Sequence, residues 1–335
     1  MAPQPASALA DGFGRRITYL RLSVTDRCDL RCRYCMSETM RFLPRADLLS
    51  VEEMALISER LIARGVRRIR LTGGEPLTRR GLPDLAHRLG YLLATSPLEE
   101  VTLTTNGTRL AQHAALLADV GVRRINVSLD TRDAALFRHI TRTGDLGHVL
   151  DGIEAARTNG IRIKINMVAL AGLNDQEFGT MLRWCGDEGH DLTLIETMPL
   201  GVVEEDRTDR YLSLETVRAD LEGSFALRPS THRTGGPARY FELAGTSTRL
   251  GLITPMSGNF CEGCNRIRLT ADGQLTMCLG HEDYVDLKTA YRDGGMAGLD
   301  AGLDEALRAK PPRHLFEIGR GIAPSTARHM SATGG

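Results

Sequence analysis

The sequence predicts an α/β protein, a partial (β/α)6 TIM-like barrel followed by a smaller C-terminal α+β region. Three observations predict it. Strand-like and helix-like segments alternate six times between residues 17 and 197; repeated βα units bring parallel strands together with helices outside, and six fall short of the eight of a closed barrel. Five of the strands alternate apolar and polar residues, so the sheet has one apolar and one polar face. Past Pro199 the segments shorten and fill with turn-forming Gly, Pro and Asn. A doubly wound sheet would share the first observation and stays open on pattern alone.

Taken in order, residues 1–14, with Pro3, Pro5, Gly12 and Gly14, read as a disordered lead-in without the basic-then-apolar layout of a signal peptide. The barrel is expected over 15–220. Its strands fall at 17–24, 66–72, 100–106, 122–129, 161–168 and 191–197, and helix patterns lie near 51–64, 81–95, 109–120, 133–140, 146–159 and 175–189. Ser50 and Glu53 form a capping box at the start of the helix that follows them. Residues 200–212 make an acidic and arginine-rich loop before a short helix, Ser213 to Leu221. The C-terminal region, 221–335, holds a small antiparallel element within 225–274 and a last helix from Leu299 to Ala309, stopped by Pro311-Pro312. A chain of 335 residues suits one barrel-sized domain with an appendage.

The polar face is the more informative half of the alternation. It carries Tyr19, Arg21 and Ser23; Arg68, Arg70 and Thr72; Thr102, Thr104 and Asn106; Asn126, Ser128 and Asp130; and Arg162, Lys164 and Asn166. Parallel strands covered on both sides are usually apolar throughout. A filled barrel core would not tolerate Arg21, Arg70 and Lys164 together without partners. This face therefore lines a wet cavity or a charged ligand.

Composition narrows the function class. The 42 basic residues match 42 acidic ones, which argues against bulk nucleic-acid or anionic-membrane binding. No apolar run approaches the roughly 18 residues of a membrane span. The basic set is almost all arginine, with Lys164, Lys288 and Lys310 the only lysines. Seven cysteines without an export signal point to a reducing cytoplasm and to metal rather than disulfides.

Six of the seven fall into two triplets. Cys28-Asp-Leu-Arg-Cys32-Arg-Tyr-Cys35 is C-x3-C-x2-C on the turn after the first strand. A [4Fe–4S] cluster normally takes four cysteines, so three leave one iron open. Zinc competes for this site but usually builds from paired C-x2-C or Cys/His clamps, and no His falls within the run. The second triplet is Cys261-x2-Cys264-x13-Cys278. It fits either a second open cluster or a zinc ribbon with His281 as fourth ligand. Cys185, beside Trp184 in a helix pattern, reads as a core cysteine.

C-x3-C-x2-C with Tyr34 before its last cysteine resembles the radical S-adenosylmethionine (SAM) superfamily, in which SAM chelates the open iron. Thr72-Gly-Gly-Glu-Pro76 resembles the GGEP motif of that superfamily, whose backbone holds the SAM amino group. The resemblance implies SAM contacts at Tyr34, Gly74, Ser128 and Met198. With TDRCDLRCRYCM, LTGGEPLTR, TTNG, SLD, IETMP, NFCEGCNRIRLT and the terminal Gly334-Gly335, the chain from about Leu20 onward resembles the GTP 3',8-cyclases, which act early in molybdenum cofactor biosynthesis. That resemblance implies two [4Fe–4S] clusters, one on Cys28, Cys32 and Cys35 and one on Cys261, Cys264 and Cys278. The second cluster would bind the guanine edge of GTP. It further implies GTP contacts at Arg21, Arg70, Thr104, Lys164, Arg266 and Arg268, and a tail, Gly334 and Gly335, that assists in the active site. The reaction implied is radical cyclisation of GTP to 3',8-cyclo-7,8-dihydro-GTP, a lyase-class step. An electron donor of flavodoxin or ferredoxin type and a cyclic pyranopterin monophosphate synthase receiving the product are the partners expected, with a homodimer as the oligomeric expectation. No Walker A pattern occurs, so phosphate is not held by a P-loop. Two rivals remain at this point: a peptide-modifying radical SAM enzyme with an auxiliary cluster, and a non-catalytic metal-binding module.

Overall fold

The computed structural model describes residues 9–258 and 260–334. The expected lead-in residues 1–8 and the terminal Gly335 lie outside them. Within the described residues the chain runs β1 (Tyr19–Ser23), α1 (Val51–Ala63), β2 (Arg68–Thr72), α2 (Leu82–Thr95), β3 (Glu100–Thr105), α3 (Leu110–Asp119), β4 (Arg124–Ser128), α4 (Ala134–Thr141) and α5 (Leu146–Thr158). It continues through β5 (Arg162–Val168), α6 (Phe178–Glu188), β6 (Asp191–Ile195), α7 (Leu214–Glu222), β7 (Leu227–Ser230), β8 (Arg239–Leu243) and β9 (Arg249–Ile253). The last elements are β10 (Arg266–Leu269), β11 (Gln274–Thr276), β12 (Tyr284–Asp286), α8 (Leu287–Ala309) and α9 (Met330–Thr333). All six expected βα units are present, and α1 opens on the Ser50–Glu53 capping box.

All twelve strands form one sheet, in the order β12-β11-β10-β1-β2-β3-β4-β5-β6-β9-β8-β7. β1 to β6 are parallel neighbours in sequence order. β10 adds in parallel to the free edge of β1, and β9 in parallel to the free edge of β6. The sheet does not close; its margins are the antiparallel pairs β11–β12 and β7–β8. The expected boundary near residue 221 is therefore no break in the sheet, because the later strands extend the barrel at both ends.

Side-chain alternation fixes which face is core. Leu20, Leu22, Ile69, Leu71, Leu103, Ile125, Val127, Ile163, Ile165 and Met167 are buried against the outer helices. Two sequence expectations shift. Leu9 and Asp11, expected in the disordered lead-in, are buried: Leu9 is 2% exposed and donates its amide to the Arg64 carbonyl. The helix expected from Leu299 to Ala309 is α8 and begins at Leu287, with Asp286 capping the Thr289 amide at 3.0 Å, and a short α9 follows it. The first half of α8 was hidden because Gly295 breaks the helical backbone with φ 57°.

Candidate active site

The site lies on the polar face and at the C-terminal ends of the parallel strands, where α/β folds place their ligands. The loop after β1 carries the first cysteine triplet. Arg31 and Arg33 donate their amides to the carbonyls of Thr141 and Ile140 at 3.1 and 3.0 Å, which pins the loop to the end of α4. The Leu30 amide points at the Cys28 sulfur at 3.4 Å and the Asn106 amide group stands 3.8 Å from it. Burial pushes all three thiols up, that of Cys35 to about 11, and all three are free of disulfides. Buried thiols of this kind ionise when a metal takes their proton's place, so the donor set fits an iron–sulfur cluster.

Gly73 and Gly74 cross this loop at close range. The Gly74 amide donates to the Thr25 carbonyl and the Glu75 amide to the Arg27 carbonyl, both at 2.8 Å. A Cβ on Gly73 would stand 2.3 Å from the Thr25 oxygen, and one on Gly74 2.4 Å from the Arg27 oxygen. Only glycine admits this approach. Glu75 is fully buried and accepts from Leu77 N, Thr105 Oγ1 and Asn106 N at 3.0, 2.7 and 2.7 Å, with burial raising its carboxyl to about 7. It ties the end of β2 to the end of β3.

Tyr34 donates its hydroxyl to Asp130 at 2.8 Å, and burial raises that carboxyl to about 6. Tyr34 and Met198 line a small hollow with Ile195, Glu196 and Met330. Ser128 closes β4 beside Asn166 of β5. Glu196 carried no sequence signal beyond the IETMP run. It is buried and accepts from the amides of Leu214, Met256 and Ser257 at 3.2, 2.8 and 3.0 Å, anchoring the approach to the second triplet.

A larger cavity shares Ile195, Met198 and Met330 with the first. Arg21, Arg70, Lys164, Arg266 and Arg268 line it together with Cys261, Cys264 and Cys278, and among the described residues no Asp or Glu does. None of these five cations makes an ion pair among the described residues. Nε of Arg21 and of Arg70, Nδ2 of Asn126 and Oδ1 of Asn166 are buried there without hydrogen-bond partners among the described residues. Burial, with Arg268 and Arg70 close by, holds Arg21 well below the usual arginine range; burial, then Arg70 and Arg124, lowers Lys164 likewise. Lys164 donates to the Tyr240 hydroxyl at 3.2 Å. Buried cations without counter-charge mark a place for an anion. Thr104 stands opposite Asn126 in register but off the cavity wall, with its hydroxyl buried and unpartnered among the described residues.

The second triplet flanks β10 and β11. Burial alone would push the Cys264 thiol up, but Arg266 and Lys310 bring it to about 7. His281, the alternative zinc ligand, has Nε2 2.9 Å from the Arg313 carbonyl. Among the described residues no three His, Cys, Asp or Glu side chains converge tightly enough to hold a single metal ion. The tail reaches the same cavity. Arg268 donates to the carbonyls of Thr333 and Gly334 at 3.3 and 2.5 Å, and Met330 lines the wall.

Comparison with known proteins agrees with this geometry. Residues 22–185 match the model of the Radical SAM superfamily and residues 190–316 that of Molybdenum Cofactor Synthesis C. The fold is similar to that of Streptococcus suis SuiB bound to S-adenosylmethionine, with a TM-score of 0.61 at 13% identity over 94% of this chain and 77% of that one. The chain is 56% identical to the GTP 3',8-cyclase of Erythrobacter litoralis, over 98% of this chain and 99% of the relative. It is 56% identical to that of Agrobacterium fabrum, over 98% and 94%. Its two cysteine triplets, its glycine-pinned loop and its unpaired cations thus stand in a chain that belongs to the GTP 3',8-cyclase family.

Proposed function

We propose that this chain is a radical SAM GTP 3',8-cyclase, which converts GTP to 3',8-cyclo-7,8-dihydro-GTP as a lyase-class step early in molybdenum cofactor biosynthesis. The observation that carries the reading is the cavity with five cations, three thiols and, among the described residues, no Asp or Glu in its wall. Cys28, Cys32 and Cys35 would hold a [4Fe–4S] cluster, with SAM beside Tyr34, Gly74, Ser128 and Met198. Cys261, Cys264 and Cys278 would hold a second one. When bound, the first cluster and SAM supply the radical chemistry that removes the hydrogen from ribose C3' and lets that carbon join C8 of guanine.

The chain's own residues supply binding, orientation and exclusion of water. Arg21 and Arg70 are register partners on β1 and β2, Lys164 lines the same cavity from β5, and the three hold the triphosphate by charge-assisted bonds, which relieve their mutual repulsion. The resemblance adds Thr104, which stands off the cavity wall with a buried hydroxyl that has no partner among the described residues. Arg266 and Arg268, beside the second triplet, steer the guanine toward that end of the cavity. Gly334 brings tail backbone to the reacting end through Arg268, and the expected assistance of Gly335 falls outside the described residues. Tyr19, Phe260, Met198 and Met330 form apolar wall that keeps water from the reacting carbons.

The same reading includes a flavodoxin- or ferredoxin-type electron donor, transfer of the product to a cyclic pyranopterin monophosphate synthase, a cytoplasmic location and a homodimer. No helix among the described residues is long and apolar enough to cross a membrane. The test uses anaerobically reconstituted protein with SAM and a strong reductant, and quantifies 5'-deoxyadenosine with GTP, without it, and with other nucleotides or a peptide. A GTP-dependent rise with consumption of GTP is expected. Equal formation without GTP would remove GTP as the substrate.

A further inference from the structure

We propose that Lys310 is a positioning residue for the second cysteine triplet, where its ammonium hydrogen-bonds the Cys264 sulfur and raises the reduction potential of the cluster held there. The inference rests on the reading that this triplet holds a [4Fe–4S] cluster, and adds which protein group tunes it. Lys310 is one of only three lysines in a chain that otherwise uses arginine for its basic residues. It closes α8 as the C-cap residue, and Pro311-Pro312 prevents the helix from continuing. There the side chain turns inward and is 3% exposed.

Its three donors are all used. Nζ lies 2.6 Å from the Met277 carbonyl, 3.0 Å from the Arg266 carbonyl and 3.7 Å from Cys264 Sγ. Arg266 starts β10, just after Cys264, and Met277 immediately precedes Cys278. One ammonium therefore bridges the two segments that present these cysteines. An ammonium has three donors and no acceptor, so this arrangement saturates it.

The charge is what demands explanation. Lys310 forms no ion pair with Asp or Glu among the described residues, and Asp11, an acid that acts on it, is engaged by Arg15 at 2.6 Å. A buried cation is retained where an anion compensates it. With a cluster bound, the anions that act on it are the ligating sulfurs of Cys264, at 3.7 Å, and of Cys278. A tie between two carbonyls alone could be made by a neutral donor; a cation facing sulfur also stabilises the reduced, more negative cluster. Hydrogen bonds to sulfur and local net charge are among the levers that set iron–sulfur potentials.

The test uses the full chain with Cys28, Cys32 and Cys35 replaced by alanine, so that iron content and the electron paramagnetic resonance signal report the second site alone. In this background Lys310→Met is expected to keep the cluster but shift its midpoint to more negative potential. At a fixed poise its reduced-to-oxidised ratio should fall about tenfold, which for one electron is about 59 mV. Lys310→Arg, which keeps the charge, should restore most of the shift. A loaded Lys310→Met protein with an unchanged midpoint overturns the inference and leaves the cluster reading standing. If Lys310→Met cannot be loaded, Lys310→Arg decides: loading with the parent midpoint supports the role of charge, and failure to load assigns Lys310 to packing only. Absence of iron from the parent that retains Lys310 would remove the second-cluster reading and this inference with it.

Discussion

At the scale of single residues, the cavity beside the second triplet is built from buried cations without ion-pair partners among the described residues, which an anion would compensate. Lys164 shows this best, since it is 4% exposed, its one hydrogen-bond partner among the described residues is the Tyr240 hydroxyl, and its ammonium is lowered well below the ordinary 10.5 by burial and then by Arg70 and Arg124. A bound triphosphate would favour the charged form and raise that value. Between the lowered value of the free protein and the higher value of the complex, binding draws in a proton, and GTP affinity falls as pH rises through this window. Lys164→Met should weaken GTP binding by roughly 10- to 100-fold, the loss of one charge-assisted hydrogen bond of about 1.5–3 kcal/mol, with SAM binding little changed. Calorimetry in buffers of different ionisation enthalpy reads both effects; equal proton uptake by the parent and Lys164→Met would take Lys164 out of the triphosphate site. The sequence made this cavity legible because strand side chains obey a strict period of two. Arg21, Arg70, Asn126, Lys164 and Asn166 were on one face as soon as the strands were placed, and all five line the same cavity. Lys310 and Glu196 were not legible in this way. Each sits next to a helix or strand end, and its inward turn depends on partners distant in the chain.

At the scale of elements, two glycines are fixed by close approach rather than by flexibility alone. Gly73 has φ 144° and its missing Cβ would meet the Thr25 carbonyl; Gly334 has φ 75° and its missing Cβ would lie 2.0 Å from Thr72 Oγ1. Both contacts involve the end of β2, one on the cysteine loop and one on the tail. Gly73→Ala should push the 25–27 backbone away and displace Cys28, so anaerobic reconstitution should load iron only at the second triplet. Full loading of both triplets in Gly73→Ala would show that the loop absorbs the shift. Gly334→Ala should instead leave iron content intact and free the tail from Arg268, seen as faster proteolysis after residue 325 and a loss of GTP-dependent SAM cleavage. A tail as protected as the parent's would contradict this. Motif matching identified Gly73-Gly74 and the terminal Gly334-Gly335. It could not say that the Gly73-Gly74 pair braces the cysteine loop from behind, because the bracing backbone lies almost fifty residues upstream. The first half of α8 was missed for a local reason, as Gly294-Gly295 reads as a turn until tertiary packing holds a bent helix across it.

At the scale of the molecule, the chain reads in sequence as a barrel with an appendage and is built as a single sheet. The six βα units were legible because each is a local pattern, whereas the edge pairings of β10 with β1 and β9 with β6 join segments far apart in sequence and have no periodic signature. They matter for stability. Without the region after residue 221, β1 and β6 become open edges of a parallel sheet, and such edges pair with other chains unless shielded. The polar cavity face would open as well, exposing Arg21, Arg70 and Lys164 without the wall that Arg266, Arg268 and the second triplet provide. A fragment ending at residue 221 should therefore be insoluble or only partly folded, even though it contains the first cysteine triplet and all six βα units. The full chain should lose its sheet in one cooperative transition, with amide protection of β1 and β6 matching that of β3 and β4. Hydrogen exchange on the apo protein measures this directly. If β1 and β6 exchange well before the central strands while these stay protected, the later strands are an appendage to an independently stable barrel. If all four exchange together, the region after residue 221 belongs to the folding unit, and the cavity between the two triplets can form only once the whole sheet has assembled.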